Sequence, residues 1–437
     1  MKNSYRYTSS LLIAGLLSVL SSCELDQVNP NAATDADATT TREGIIALSI
    51  GERQFYSTSG LTSNLVYPSV TSREIKGVST GLTTIELEAG GSTISTNNAA
   101  TLSYWSNMQR IMQMSESIIN NAPQITTLES TMLSGIMAQA YLFKAMALAE
   151  LASAFEQVNL NTSTTDKVTF VGRAEVMTEV LRLLNQGLNE VNTTPPSATF
   201  TSTVTGADFD LKNTLYAMLA RYNLMAGRYQ DALTQANLVD LTKKSQFVYN
   251  TLTINPLYTV FGVTKSYRPR ANFGLSADLF EAADQRLGFY LTTPTATVNT
   301  DVVATLSGFS AQTSPIPVYL TDEIKLIKAE AILRNNGLLA DALTLINEVR
   351  TQTAGDPFGV NAGLPAYSGA ISKDALLLEV YKQRCAELYL SGLKWEDTRR
   401  FGRPTPPTNN TESNRVFYPY PDQERLNNSN TPADPAI

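Results

Sequence analysis

The stretch LYAMLARYNLMAGRYQDALTQANLVD, residues 215–240, constrains the fold more than any other part of the chain. Ala220 sits where two helices must approach closely, and Gly227 falls at the turn between them. Tyr229 packs after the turn, and Ala232 and Ala236 line the second helix. Helices packed face to face leave no room for larger side chains at such points. The pattern predicts a helical hairpin over 211–241.

This Leu-Ala…Gly-x-Tyr-x-x-Ala layout resembles a tetratricopeptide hairpin. A weaker copy, IKLIKAEAILRNNGLLADALTLINEVR, follows at 324–350, with Gly337 at the expected turn and Ala342 inside. Ile136, Ala140, Phe143, Ala147 and Leu151 form one stripe at helical spacing, interrupted by Gln139, Lys144 and Glu150. Those polar residues favour a buried helix over a membrane span. Leu102, Trp105, Met108 and Met112 share another helical face, which assigns Trp105 to the core. Helical pairs are expected at 130–155 with 173–192, and at 321–350 with 373–391. The fold class is therefore mainly α, built on tetratricopeptide-like pairs. Helical repeats bury one face each, so the irregular insert at 245–320, rich in Tyr, Phe, Pro and Thr, must dock onto them. Residues 60–100, including STGLTTIELEAGGSTISTNNAA, read as a long loop or small hairpin.

The N-terminus adds a different signal. Lys2 and Arg6 precede a short apolar run, Leu11 to Leu20, of signal-peptide length. Leu20-Ser21-Ser22-Cys23 resembles a bacterial lipobox, with Cys23 as the acylated residue. The expected organisation is a lipoprotein signal peptide at 1–22 and a flexible tether at 23–41. A single domain follows at 42–437, in an N-terminal part (42–320) and a C-terminal part (321–437).

Composition removes several chemistries. The chain has no histidine, which excludes Ser-His-Asp and Cys-His catalysis and His-ligated metals. With Cys23 acylated, only Cys385 remains, so no internal disulfide forms. Net charge is -7 and no basic tract is present, which argues against nucleic acid as a partner. There is no Gly-x-x-x-x-Gly-Lys-Ser/Thr phosphate loop. No metal or cofactor is expected.

Four segments, in order, carry a more specific resemblance: YLFKAMALAELASAFEQV, AEAILRNNGLLADALTLINEVRTQTAG, VYKQRCAELYLSGLKWEDTRRFGR and NRVFYPYPDQE. They resemble the SusD/RagB outer-membrane lipoproteins of Bacteroidetes, with a SusD-like α/α superhelical fold. The third resembles the family hallmark, with Lys394, Ser391 and Gln383 where Arg, an acidic residue and Glu are usual. Lysine cannot form a bidentate fork, so a looser ion network is expected there. Arg384 and Glu387, one helical turn apart, are expected to pair, and Gly392 to cap the helix. Trp395, Asp397 and Arg400 are expected to clamp the exit chain, and Glu330 to be the buried acid that an arginine neutralises. All seven are read as structural.

The resemblance implies a non-enzymatic surface protein that captures oligosaccharides, or peptides, for a SusC-like TonB-dependent transporter. It also implies lipid anchoring at the outer membrane, facing outward. Sugar sites combine aromatic faces with polar side chains. Tyr67, Arg73 and Glu74, and in the insert Tyr267, Arg268 and Tyr290, are the ligand-binding candidates. Two other functions compete. One is a tetratricopeptide-type adaptor for other proteins. The other is a carboxylate glycoside hydrolase, for which Glu86 and Glu88 are the available pair; such enzymes need carboxylates opposed across a substrate.

Overall fold

The computed structural model describes residues 35–163 and 167–437. Cys23, the signal segment and the tether up to residue 34 lie outside the described residues. The end of the expected tether is helical: α1, Asp35–Thr40, packs beside α2, Arg42–Phe55. Thr41 caps α2 by accepting from Gly44 N at 3.0 Å.

The chain then runs through α3 (Leu61–Thr71), β1 (Ile75–Gly77), α4 (Leu82–Ala89), α5 (Ala99–Asn121), α6 (Ser130–Ala154) and α7 (Arg173–Thr193). Residues 60–100 are thus mostly helical, against the expectation of a loop. Leu61, Leu65, Val66 and Val70 recur at helical spacing and are buried. That periodicity outweighs the Ser, Thr and Asn content around it. Helix α6 has the length and hydropathy of a membrane span, yet it is almost wholly buried inside the body. Its polar residues are answered there: Gln139 donates to Ser49 O at 2.8 Å and Lys144 pairs with Glu116 at 3.0 Å. Gly187 of α7 lets α6 approach, because a Cβ would sit 3.2 Å from Ala138 O.

The diagnostic hairpin forms as α8 (Leu211–Met225) and α9 (Tyr229–Ala236). Ala220, Ala232 and Ala236 are fully buried. Gly227 adopts φ +74°, and Arg228 N bonds Asn223 O while Gly227 N bonds Leu224 O, closing a Schellman turn. The insert supplies β2 (Tyr267–Pro269), antiparallel to β1, then α10 (Arg286–Tyr290) and the hairpin of β3 (Leu291–Val298) with β4 (Asp301–Leu306). The C-terminal part holds α11 (Thr321–Arg334), α12 (Leu339–Arg350), α13 (Lys373–Glu387), α14 (Lys394–Arg400) and α15 (Asp422–Asn427). In the α11–α12 turn the left-handed residue is Asn336, φ +56°, not Gly337. One buried core runs from Ile45 to Tyr420, and a smaller one joins α11, α12 and α13.

Candidate functional site

Helix α5 lies along a surface groove of about 700 Å³, within the range that holds small ligands. Leu102, Ser106, Gln109 and Gln113 recur at helical spacing along its floor, with Trp105 beneath. The opposite wall comes from Asn159 and Thr162, and from Gln423 and Asn427 on α15. A second hollow of about 420 Å³ shares Thr162 and continues along Glu116 and Asn120 of the same helix. From Leu102 to Asn120 the rise of an α-helix gives a track of about 27 Å. Gln109 and Asn159 bond each other reciprocally, at 2.7 and 3.0 Å. Exposed Arg110, Gln113, Gln423 and Asn427 make no side-chain hydrogen bond or ion pair among the described residues.

Trp105 is 3% exposed. It stacks on Phe170, with centroids 5.8 Å apart, and donates from Nε1 to Glu424 Oε2 at 3.1 Å. It is both core and groove floor. A deeper void of about 100 Å³ lies between α3, α6, α8 and the insert, too small for a sugar chain. Glu150 borders it, taking bonds from Tyr56 and from Asn64 Nδ2 (2.9 Å). Burial pushes the Glu150 carboxyl up to about 8.

The six sequence-derived ligand candidates do not form one open site. Glu74 is fully buried and spends its carboxylate on Ser72 Oγ (2.8 Å) and Leu390 N (2.9 Å). Tyr290 is buried and donates to Glu387 O at 2.7 Å. Both are structural. Arg73, in the left-handed region at φ +63°, is held by Glu88 O (2.9 Å) and Glu88 Oε1 (3.2 Å). Tyr267 is buried next to Thr84 and Tyr67, and burial pushes the Tyr67 hydroxyl up to about 12. Arg268 is half-buried opposite Lys76 in the ladder. Glu86 and Glu88 lie on α4, not on an extended segment. Glu86 is fixed by Asn98 (2.8 Å) and Ser95 (2.9 Å), and Glu88 by Arg270 at 2.6 Å. Neither carboxylate opposes the other across a cleft.

The hallmark segment forms a buried ionic knot. Arg384 Nε meets Asp397 Oδ2 at 2.7 Å, and Arg400 bridges Asp397 and Glu330. Glu330 also takes Arg334 at 2.7 Å. Arg384 does not pair with Glu387, which instead takes Arg286 Nη1 at 3.1 Å. Side chains three apart on a helix can meet, but here each finds a partner on another element. Trp395 packs on Tyr418 with centroids 4.6 Å apart and donates to Arg415 O at 2.7 Å, holding the exit chain. Gly392 has φ +78° four residues beyond the cap of α13, pressed against the Asn64 carbonyl.

Residues 276–434 match the sequence pattern of the SusD family. That stretch, about a third of the chain, is similar to the SusD/RagB family. No curated protein matches the chain. Solved structures share the SusD fold over nearly the whole length. A SusD superfamily protein from Parabacteroides distasonis superposes with a TM-score of 0.69 at 13% identity, covering 90% of this chain and 99% of that one. One from Bacteroides thetaiotaomicron gives 0.68 at 14% identity, covering 90% and 99%. A SusD-like carbohydrate binding protein from Bacteroides vulgatus gives 0.64 at 17% identity, covering 82% and 83%.

The departures from the SusD hallmark do not loosen it. Lys394 is buried and donates to Ser72 O at 2.7 Å and Glu412 O at 3.2 Å. Gln383 accepts from Arg286 at 2.6 Å and donates to Glu379 at 2.8 Å. An ammonium needs no planar partner, so two carbonyls satisfy it. The groove residues Gln109, Arg110, Gln113 and Asn427 escaped sequence reasoning. The available signal was the polar stripe on the far side of α5 from Met108 and Met112.

Proposed function

We propose that this chain is a non-catalytic capture protein that binds oligosaccharides along the α5 groove and delivers them to a SusC-like TonB-dependent transporter. The observation that carries the reading is the set of amide and guanidinium groups of Arg110, Gln113, Gln423 and Asn427 that line the groove uncommitted among the described residues. Such groups pair with sugar hydroxyls, and Trp105 supplies an apolar floor. The carbohydrate-binding relative from Bacteroides vulgatus, with the same fold, supports the ligand class. The immobilised Glu86 and Glu88 weigh against a hydrolase. The family and the Leu20-Ser21-Ser22-Cys23 tetrad support a lipid anchor on the outer face of the outer membrane.

An oligosaccharide array run beside a peptide library tests the ligand class. Retention of oligosaccharides without new reducing ends supports the reading. Retention of peptides alone moves the ligand to peptides, and sugar release makes the protein an enzyme. Gentle detergent extraction tests the hand-off. A large β-barrel protein should co-purify in about equal amount; its consistent absence would favour a free-standing adaptor.

A further inference from the structure

Away from the groove, three carboxylates converge where the ends of the C-terminal helices meet. Asp322 stands in the first turn of α11, Asp356 in the loop after α12, and Glu387 at the end of α13. They are 1%, 8% and 0% exposed, and one oxygen of each lies within 4.8 Å of the others. Like charges brought together in a dry site repel strongly unless something compensates them.

The surrounding groups do not compensate them. Glu387 gives one oxygen to Arg286 at 3.1 Å, and its Oε1 has no hydrogen-bond partner among the described residues. Asp356 Oδ1 accepts from Phe358 N (2.7 Å) and Val360 N (3.0 Å), while its Oδ2 has no partner among the described residues. Among the described residues Asp322 Oδ1 is met only by the Lys325 ammonium at 2.8 Å, and that lysine is shared with exposed Glu348 at 4.0 Å. Arg286 is itself clamped by Asp284 at 2.6 Å. Four carboxylates (Asp284, Asp322, Asp356 and Glu387) thus face two cations, Arg286 and Lys325. Two negative charges are left over. Gln352 braces the cluster: with its amide oriented to satisfy both ends, it donates to Asp322 Oδ2 at 2.7 Å and accepts from Asp356 N at 3.0 Å.

We infer that Asp322, Asp356 and Glu387 bind one divalent cation of the calcium class, which locks the α11, α12 and α13 ends together. The donors are all hard carboxylate oxygens, the preference of calcium rather than of zinc or copper. Oxygens lying within 4.8 Å of one another can share one ion at calcium–oxygen distances of about 2.4 Å. Two surplus negative charges match one dication. This departs from the sequence-based expectation of no metal, because residues 322, 356 and 387 show no loop spacing. The rival occupant is the proton, since burial pushes all three carboxyls up.

The test uses the full chain, freed of metal with EDTA and titrated with calcium chloride at pH 7. Calorimetry should give one site per chain, and saturating calcium should raise the melting temperature by several degrees. Asp356→Asn should abolish both responses. If that variant does not fold, the native mass spectrum of the wild-type protein decides, and one retained calcium per chain is expected. Absence of heat, melting shift and bound metal in the wild type would overturn the inference in favour of protons. So would a response left intact in Asp356→Asn.

Discussion

Arg384 reaches thirteen residues along the chain to Asp397, Nε to Oδ2 at 2.7 Å, although Glu387 lies one turn away on its own helix. Asp397 also receives Arg400. Burial works to raise the Asp397 carboxyl, but Arg384 and then Arg400 outweigh it and hold it below the ordinary range. Asp397→Ala would strand the buried Arg384 guanidinium and take one of two carboxylate partners from Arg400. The expected cost is about 3–5 kcal/mol, the scale of a broken buried pair. Urea unfolding measures it, and a loss below about 1 kcal/mol would remove this knot from the account of stability.

The two glycines of the sequence argument should respond differently. Gly227 has φ +74° with only the Tyr229 hydroxyl near its missing Cβ, at 3.9 Å. Gly227→Ala should cost about 1 kcal/mol, the backbone term alone. Gly392 has φ +78° and the Asn64 carbonyl directly against it. Gly392→Ala adds a backbone collision and should cost clearly more. Equal losses in thermal unfolding would contradict that ordering.

Stability should fall toward alkaline pH. Burial pushes Glu52 and Glu150 up from 4.5 to about 8. The native state therefore binds more protons than the unfolded chain between those values. Their contribution is fully present below about 4.5 and is lost as pH rises through 8. No histidine titrates in this window to mask it. The loss should be on the order of a few kcal/mol per residue. Glu52→Gln, which keeps an acceptor for Ser115 Oγ at 2.5 Å, should flatten the profile from pH 5 to 9. An unchanged slope would contradict the assignment.

The anchor is tested at Cys23. Cys23→Ala should abolish acylation and release the protein from membrane fractions. A substituted protein that stays membrane-bound after signal removal would contradict lipid attachment. Two acyl chains, at about 0.8 kcal/mol per buried methylene, are enough to hold a protein firmly.

Much of the fold was legible because close helix packing leaves small residues at fixed spacing. Ala220, Ala232 and Ala236 announce one hairpin, and Gly227 its turn. Gly337 falls in its turn as expected, and the left-handed residue there is Asn336, whose short polar side chain tolerates that region. Residues 60–100 were misread because Ser, Thr and Asn content masked the Leu61, Leu65 and Val70 stripe. The partners of Arg384 and Glu387 were illegible, since local spacing cannot report that Arg286 arrives from the insert. The groove was hidden for the same reason: Gln113 and Asn427 face one hollow from helices over three hundred residues apart.

The central claim is that the α5 groove captures a sugar chain without altering it. Calorimetric titration of the chain lacking residues 1–23, with the best oligosaccharide from the array, tests it directly. Gln113→Ala and Asn427→Ala change exposed side chains that bond nothing else among the described residues, so melting temperatures should not move. Each should weaken binding by about 0.5–1.5 kcal/mol, the scale of one hydrogen bond, with the oligosaccharide recovered intact. Wild-type affinity in both variants would place the ligand elsewhere and contradict the groove as the capture site.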